Sequence, residues 1–251
     1  MIKVLVNGCN GKMGQVLINE LPLFPELTLI GGFDMHNNIV HNHSFPVYSN
    51  INDIIEKPDV IVDFSVPVST LNILKYAITS KTAMVIATTG FSKAEFNEIQ
   101  KASHIIPIFQ SYNMSYNINL MKKIVAEAAL SLKDADIEIL DIHHNQKIDS
   151  PSGTAIELAD SINSALGNKM KYTFTRHATH EKRKSNEIGF SSIRGGNIVG
   201  EHSVLFLGEY ETFEIKHTSY SKSVYAQGAL KACKFIVGKL PHLYTMDDLL
   251  T

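Results

Sequence analysis

The stretch Ile2-Lys3-Val4-Leu5-Val6-Asn7-Gly8-Cys9-Asn10-Gly11-Lys12-Met13-Gly14 decides the fold. Six residues of largely apolar, β-branched character read as a buried strand, and a helical pattern follows from Lys12 to Leu21. Between them the glycines fall as G-x-x-G-x-x-G, a variant of the dinucleotide fingerprint. Gly8 permits the tight turn, Gly11 lets backbone approach a pyrophosphate, and Gly14 lets the helix sit close to the sheet. The amides at the helix start then hold the anion. A plain strand-to-helix turn is the competing explanation for such a spacing alone. It loses ground to Asp34, which lies 20 positions beyond Gly14 at the end of a second strand, Leu27–Phe33. There an acidic group accepts hydrogen bonds from ribose hydroxyls.

The same grammar continues outward. Asp59–Ser65 reads as a strand, Thr70–Ser80 as a helix and Ala83–Ala87 as a strand, and Ser92 with Glu95 forms a capping box for the next helix. Alternating strands and helices predict a parallel sheet covered on both faces, a Rossmann-type doubly wound domain. A long helix from Ser115 to about Leu132 opens a second unit. It continues with a strand, Ile137–Ile142, ending at His143-His144, and a helix Gly153–Leu166 capped by Ser152 and stopped by Gly167. The strands Ile188–Arg194, Glu201–Leu207 and Glu211–His217 follow with short links, which favours an open mixed sheet in an α+β domain. A last helix, Ser223–Val237, precedes a short polar tail. The expected division is 1–114 with 221–251, and 115–220, with candidate hinges near Asn113–Ser115 and Tyr220–Ser223. Lys169–Ser185 is the most basic stretch and reads by composition as a mobile, solvated loop.

Composition bounds the function. With 251 residues, 44% hydrophobic and 19% charged, the chain has material for a substantial core, which excludes extended disorder and coiled coil. A net charge of −2 gives no global attraction to nucleic acid or an acidic membrane, so neither is an expected partner. Only Arg176, Arg183 and Arg194 among the 23 basic residues are arginines, so lysines and backbone amides are the expected anion binders. Two distant cysteines and the absence of a leader-like or membrane-length apolar run predict a soluble cytoplasmic protein.

The second chemical signal is His143-His144-Asn145-Gln146-Lys147-Ile148-Asp149-Ser150-Pro151-Ser152-Gly153-Thr154. Two imidazoles, an ammonium, hydroxyls and helix-start amides lie between a strand end and a helix start, which makes an anion site with proton donors. Each histidine alone is more simply a structural imidazole, and Asp149 a turn residue; the combination carries the signal. No metal is expected, because adjacent strand residues face opposite ways and no zinc motif is present. Short-chain dehydrogenase chemistry lacks its Tyr-x-x-x-Lys pair. Cys9 in the glycine loop and Cys233 in the last helix are poor nucleophile candidates. A non-catalytic nucleotide sensor would explain the glycine loop but leave the histidine–lysine–serine run idle.

Together with Val62-Asp63-Phe64-Ser65, Ala87-Thr88-Thr89-Gly90, Asn113-Met114-Ser115 and Ser192-Ile193-Arg194-Gly195-Gly196-Asn197-Ile198-Val199-Gly200-Glu201-His202, these motifs resemble the 4-hydroxy-tetrahydrodipicolinate (dihydrodipicolinate) reductase family in order over nearly the whole chain. The H-H-x-x-K-x-D-x-P-S-G-T run is the specific element. The resemblance implies NAD(P)H-dependent reduction of a cyclic dicarboxylated imine to tetrahydrodipicolinate in diaminopimelate and lysine biosynthesis. It implies catalytic roles for His143 and Lys147, either of which could supply the proton, and substrate contacts from His144, Ser152, Gly153 and Thr154. It implies cofactor contacts from Gly8, Asn10, Gly11, Lys12, Met13, Gly14, Asp34, Phe64, Ser65, Ala87, Thr88, Thr89 and Asn113, and a homotetramer built through the second sheet, with which the apolar Val204–Leu207 run is compatible. Lys12 stands where arginine is common, as does Lys222, and Gln15 and Tyr116-Asn117 also depart from the usual pattern. Asp34 would repel a 2′-phosphate and is followed by Met35 and His36 rather than arginine. The expectation is therefore NADH, with NADPH admitted through Lys12.

Overall fold

The computed structural model describes residues 1–35, 42–177 and 180–250, so His36 lies outside the described residues. In chain order the elements are β1 (Ile2–Asn7), α1 (Lys12–Glu20), β2 (Leu27–Phe33), β3 (Val47–Tyr48), β4 (Val60–Asp63), α2 (Pro67–Ser80), β5 (Ala83–Ile86), α3 (Lys93–Ala102), β6 (Ile108–Gln110) and α4 (Tyr116–Ser131). There follow β7 (Asp136–His143), α5 (Gly153–Ala165), β8 (Lys171–Thr173), β9 (Glu187–Arg194), β10 (Gly200–Leu207), β11 (Thr212–Ser219), α6 (Ser223–Ile236), β12 (Leu243–Tyr244) and α7 (Met246–Leu249). Two compact units result, Met1–Tyr116 with Lys222–Thr251, and Asn117–Ser221.

The first unit is built on a seven-stranded sheet ordered β12-β6-β5-β4-β1-β2-β3, with every pairing parallel. Strand alternation sends Val4, Val6, Val60 and Val62 into one core with Leu17 of α1 and Ala229 and Leu230 of α6. Leu5, Ile61, Met84 and Ile86 enter a second core with Ile73 of α2 and Ile99 of α3. Burial on both faces explains why these strands read as continuous apolar runs. The order reverses beside β1, whose neighbours are β2 and β4, and the crevice at that switch point is where open α/β sheets bind ligands. The expected capping box is present: Glu95 N–H donates to Ser92 Oγ, and Ser92 N–H to the Glu95 carboxylate at 2.7 Å.

The second unit holds a five-stranded mixed sheet ordered β11-β10-β7-β9-β8. β10 runs antiparallel to β7 and β11, whereas β7, β9 and β8 are parallel. Ile137, Ile139, Ile188, Phe190, Val204 and Phe206 turn to one face and pack with Val125 of α4 and Leu158 and Ile162 of α5. Further along this face the apolar residues give way to Asp141, His143 and His202, all buried.

Two expectations need correction. The C-terminal stretch is no mere polar tail: Leu243 and Tyr244 add β12 to the first sheet opposite Ile108 and Phe109, and Thr245 caps α7. The basic stretch Lys169–Ser185 is not wholly a solvated loop either. It contains β8, Arg176 bridges Glu138 and Glu187, and Arg183 bridges Asp136 and Glu138 and donates to the carbonyls of Ile137 and Glu187. Ala178 and Thr179 in this stretch lie outside the described residues.

Candidate active site

In the first unit the glycine loop behaves as its spacing demands. Gly8 takes φ +79, and a Cβ there would lie 2.7 Å from the carbonyl oxygen of Phe64, so both conformation and space require glycine. Gly11 is the N-cap of α1 in extended conformation, and no side chain of the described residues caps that helix end. Gly14 is packed under the loop, where a Cβ would meet the Gly8 carbonyl oxygen at 2.1 Å. Asp34 reaches back to this loop and accepts a hydrogen bond from Asn10 N–H at 3.2 Å. A cavity of about 300 Å³ is lined by Gly8, Gly11, Asp34, Met35, Phe64, Ser65, Val66, Val68 and Ser69. A second, of about 290 Å³, is lined by Met13, Phe64, Ala87, Tyr112, Met114, Lys222 and Tyr225. An uncapped helix start, an acid at the second strand's end and two adjoining hollows fit a dinucleotide. Lys12 and Thr89 are exposed at the rim, whereas Thr88 and Asn113 are buried.

Asp63, in the Val62-Asp63-Phe64-Ser65 motif, carries no signal in the sequence of the structural role it has. Fully buried at the end of β4, it accepts from Asn7 Nδ2 at 2.8 Å, Ser65 Oγ at 2.5 Å, Thr70 Oγ1 at 2.5 Å and Thr88 Oγ1 at 3.0 Å. One carboxyl thus joins the ends of β1, β4 and β5 and the start of α2, which fixes the loops around the crevice. Burial pushes its pKa up, against the hydrogen bonds from Ser65, Thr70 and Thr88.

In the second unit the histidine–lysine–serine run joins the end of β7 to the start of α5. His143 is buried. His144 faces the other way and its Nδ1 accepts from Gln146 N–H at 3.2 Å, so it braces the turn. Lys147 pairs with Asp149 at 2.7 Å, which gives Asp149 a definite partner. Ser152 caps α5 by accepting from Ala155 N–H at 3.2 Å, and its hydroxyl pairs with His202 Nε2 at 2.9 Å. The expected bare helix-start amides need one amendment, because Gly153 N–H interacts with the Asp149 carboxylate. That carboxylate therefore meets the ammonium and the helix-start amide that a bound anion would use.

Asp141, Arg194 and His202 complete this centre, although no local pattern in the sequence marks them as part of it. Arg194 grips Asp141 through both terminal nitrogens at 3.1 and 3.2 Å and donates to the Asp149 carbonyl at 2.8 Å. Asp141 also accepts from Ser152 N–H at 2.8 Å. Although burial works against it, hydrogen bonds from Arg194, Ser192 and Ser152 hold the Asp141 carboxyl far below the ordinary aspartate range. Burial and the neighbouring His143 press His202 down to about 3, so it is a neutral imidazole. His143 is also lowered, by burial first and then by the Lys147 ammonium. Asp141, His143 and His202 place ligand-type atoms within 4.8 Å of one another, but the guanidinium of Arg194 already supplies the positive charge at that carboxylate. A divalent cation would have to displace it, so the donor set fits an ion pair better than a metal. Cys9 and Cys233 are buried and their thiols are pushed up, Cys9 to about 12, which removes both as nucleophiles.

Comparison with known proteins identifies the family. Residues 2–114 match the family described as "Dihydrodipicolinate reductase, N-terminus", and residues 117–250 match its "C-terminus" counterpart. The chain is 46% identical over 249 residues to the 4-hydroxy-tetrahydrodipicolinate reductase of Caldanaerobacter subterraneus subsp. tengcongensis, covering 99% of this chain and 98% of that protein. It is 44% identical over 251 residues to the Clostridium tetani protein of the same name, covering 100% and 97%. A solved structure described as dipicolinate-bound dihydrodipicolinate reductase from Paenisporosarcina sp. TG-14 shares the fold with a TM-score of 0.82 at 24% identity, covering 98% of this chain and 97% of that one. With both halves matched in order and close relatives spanning its whole length, the chain belongs to the dihydrodipicolinate reductase family.

Proposed function

We propose that this protein reduces 4-hydroxy-tetrahydrodipicolinate to tetrahydrodipicolinate with NADH, in the diaminopimelate and lysine pathway, and that residues 1–114 with 221–251 bind the cofactor while residues 115–220 bind the substrate. The observation that carries the reading is the convergence of His143, Lys147 and the Ser152-capped helix start at the polar end of the second sheet. The names of the full-length relatives support the same reaction.

A bound reduced nicotinamide supplies the hydride. Gly8, Asn10, Gly11, Lys12, Met13 and Gly14 hold the diphosphate side, Asp34 the adenosine ribose, and Phe64, Ser65, Ala87, Thr88, Thr89 and Asn113 the nicotinamide side. Lys147 and the Ser152, Gly153 and Thr154 donors hold a substrate carboxylate in place of Asp149, and His144 helps to orient the ring. Electrons pushed toward the ring nitrogen require a proton there. Because His143 enters uncharged at neutral pH, Lys147 delivers that proton and His143 acts as its hydrogen-bonding neighbour. Asp34 favours NADH by repelling a 2′-phosphate, and Lys12 keeps NADPH usable. Homotetramer formation uses the face of the second sheet that carries Leu205, Leu207 and the half-exposed Ile193, opposite to Val204 and Phe206. The protein works in the cytoplasm on a small dicarboxylate, without nucleic acid or membrane; no described helix is long and apolar enough to cross a membrane.

The test is absorbance at the reduced-nicotinamide band after enzymatic generation of the substrate. Substrate-dependent oxidation is expected. Tight cofactor binding without oxidation would favour a nucleotide sensor instead.

A further inference from the structure

We propose that Asp141 is the positioning residue of the histidine–lysine site: through one carboxylate oxygen it holds the His143 ring with its proton on Nδ1 and fixes the start of α5. The proposal rests on the reading of His143 and Lys147 as the reacting residues and adds a residue on which both depend.

Oδ2 of Asp141 lies 3.6 Å from His143 Nδ1, 2.8 Å from Ser152 N and 3.2 Å from Arg194 Nη2. His143 Nδ1 is buried and has no hydrogen-bond partner among the described residues. At 3.6 Å the contact is too long for a hydrogen bond, but a ring displacement of about half an ångström would make one. A bare Nδ1 lone pair facing a buried carboxylate would be repelled, so the nitrogen on that side must carry the hydrogen. The other edge of the ring, Nε2 and Cδ2, lies against Gly200, where a Cβ would come within 3.2 Å of Nε2. Asp141 and Gly200 thus fix the ring from its two edges. With the proton on Nδ1, Nε2 presents its lone pair.

The charged and titratable groups around His143 are Asp141 on its own strand, Lys147 and Asp149 on the following loop, Arg194 on β9 and His202 on β10. Lys147 and Arg194 oppose a positive charge on the ring, and burial opposes it more strongly. Asp141 therefore acts by setting tautomer and orientation, not by generating an imidazolium. Its partner Arg194 donates to the Asp149 carbonyl, so the same ion pair also holds the far side of the loop that carries Lys147.

Histidine-selective ¹⁵N labelling of the full-length wild-type protein tests the proposal directly, with the His143 signals assigned by their loss in His143→Gln. A protonated Nδ1 and an unprotonated Nε2 are expected at neutral pH. A protonated Nε2 with a bare Nδ1 would overturn the proposal. Because this measurement uses the unaltered protein, it decides even if Asp141→Asn, which leaves Arg194 unpaired, fails to fold. Where that variant folds, its turnover should fall by about 10²-fold with NADH affinity unchanged, and the double variant with His143→Gln should lose clearly less than the product of the two single losses, because part of the effect of Asp141 runs through the His143 ring. Multiplicative losses would overturn the positioning role while leaving the site reading intact. Near-wild-type turnover of His143→Gln would overturn the site reading and the proposal with it.

Discussion

Replacing Ser152 with alanine should weaken both the fold of the second unit and its anion site, and the structure gives the size of the first effect. The hydroxyl caps α5 through Ala155 N–H and pairs with buried His202 Nε2, whereas the Ser152 amide bond to Asp141 survives the substitution. Loss of an N-cap costs about 1 kcal/mol. Leaving a buried imidazole nitrogen without a partner costs a further ~1–3 kcal/mol, and His202 Nδ1 already has no partner among the described residues. The sum, about 2–4 kcal/mol, corresponds to a melting point lower by roughly 4–16 °C at the ~2–4 °C per kcal/mol typical of chains this long. Urea unfolding followed by far-UV circular dichroism supplies the free energy, and an unchanged denaturant slope would locate the effect in the native state. Ser152→Thr, which keeps the hydroxyl, should recover most of the loss. A change below about 0.5 kcal/mol in Ser152→Ala would refute the argument, because surface substitutions alone reach that size.

Three further outcomes are expected. Asp34→Ala should weaken NADH binding and narrow or reverse its preference over NADPH, read from the two dissociation constants; an unchanged ratio would remove Asp34 from the ribose. Gly14→Ala drives a Cβ into the Gly8 carbonyl and should abolish cofactor binding by calorimetry, while dicarboxylate binding to the second unit is retained. His202, held near 3 in the folded protein, takes up its proton only on unfolding between about pH 6.5 and 3, so stability should fall as pH drops through that window, by up to ~1.4 kcal/mol per pH unit. His202→Gln should flatten that slope in urea titrations at several pH values, and a slope unchanged by the substitution would contradict the assignment.

The parts legible in the sequence are those fixed by local chemistry. β1 and β2 occupy their expected spans because strands buried on both faces are continuous apolar runs. Ser92 and Ser152 announced their helices as caps, and Gly167 takes the positive φ expected after α5. What stayed hidden depends on partners distant in sequence. β12 is two residues long and exists through its pairing with β6, which no periodicity reveals. Arg183 looked like part of a solvated charge run because its acids, Asp136 and Glu138, lie on β7, more than 40 residues earlier. The same holds for the Asp141–Arg194 pair, separated by 53 positions, and for Ser152 with His202, separated by 50. The loop motif carrying His143 and Lys147 was visible, while the residues that hold it in shape were not.

The central claim divides the chemistry, giving the cofactor to the glycine loop and the substrate and proton transfer to the histidine–lysine run. Lys147→Ala tests it most directly, with turnover measured at saturating NADH and the NADH dissociation constant measured separately. Turnover should fall by about 10²–10⁴-fold while the dissociation constant stays within about twofold of wild type. Turnover close to wild type, or an equal loss of NADH binding, would contradict the account.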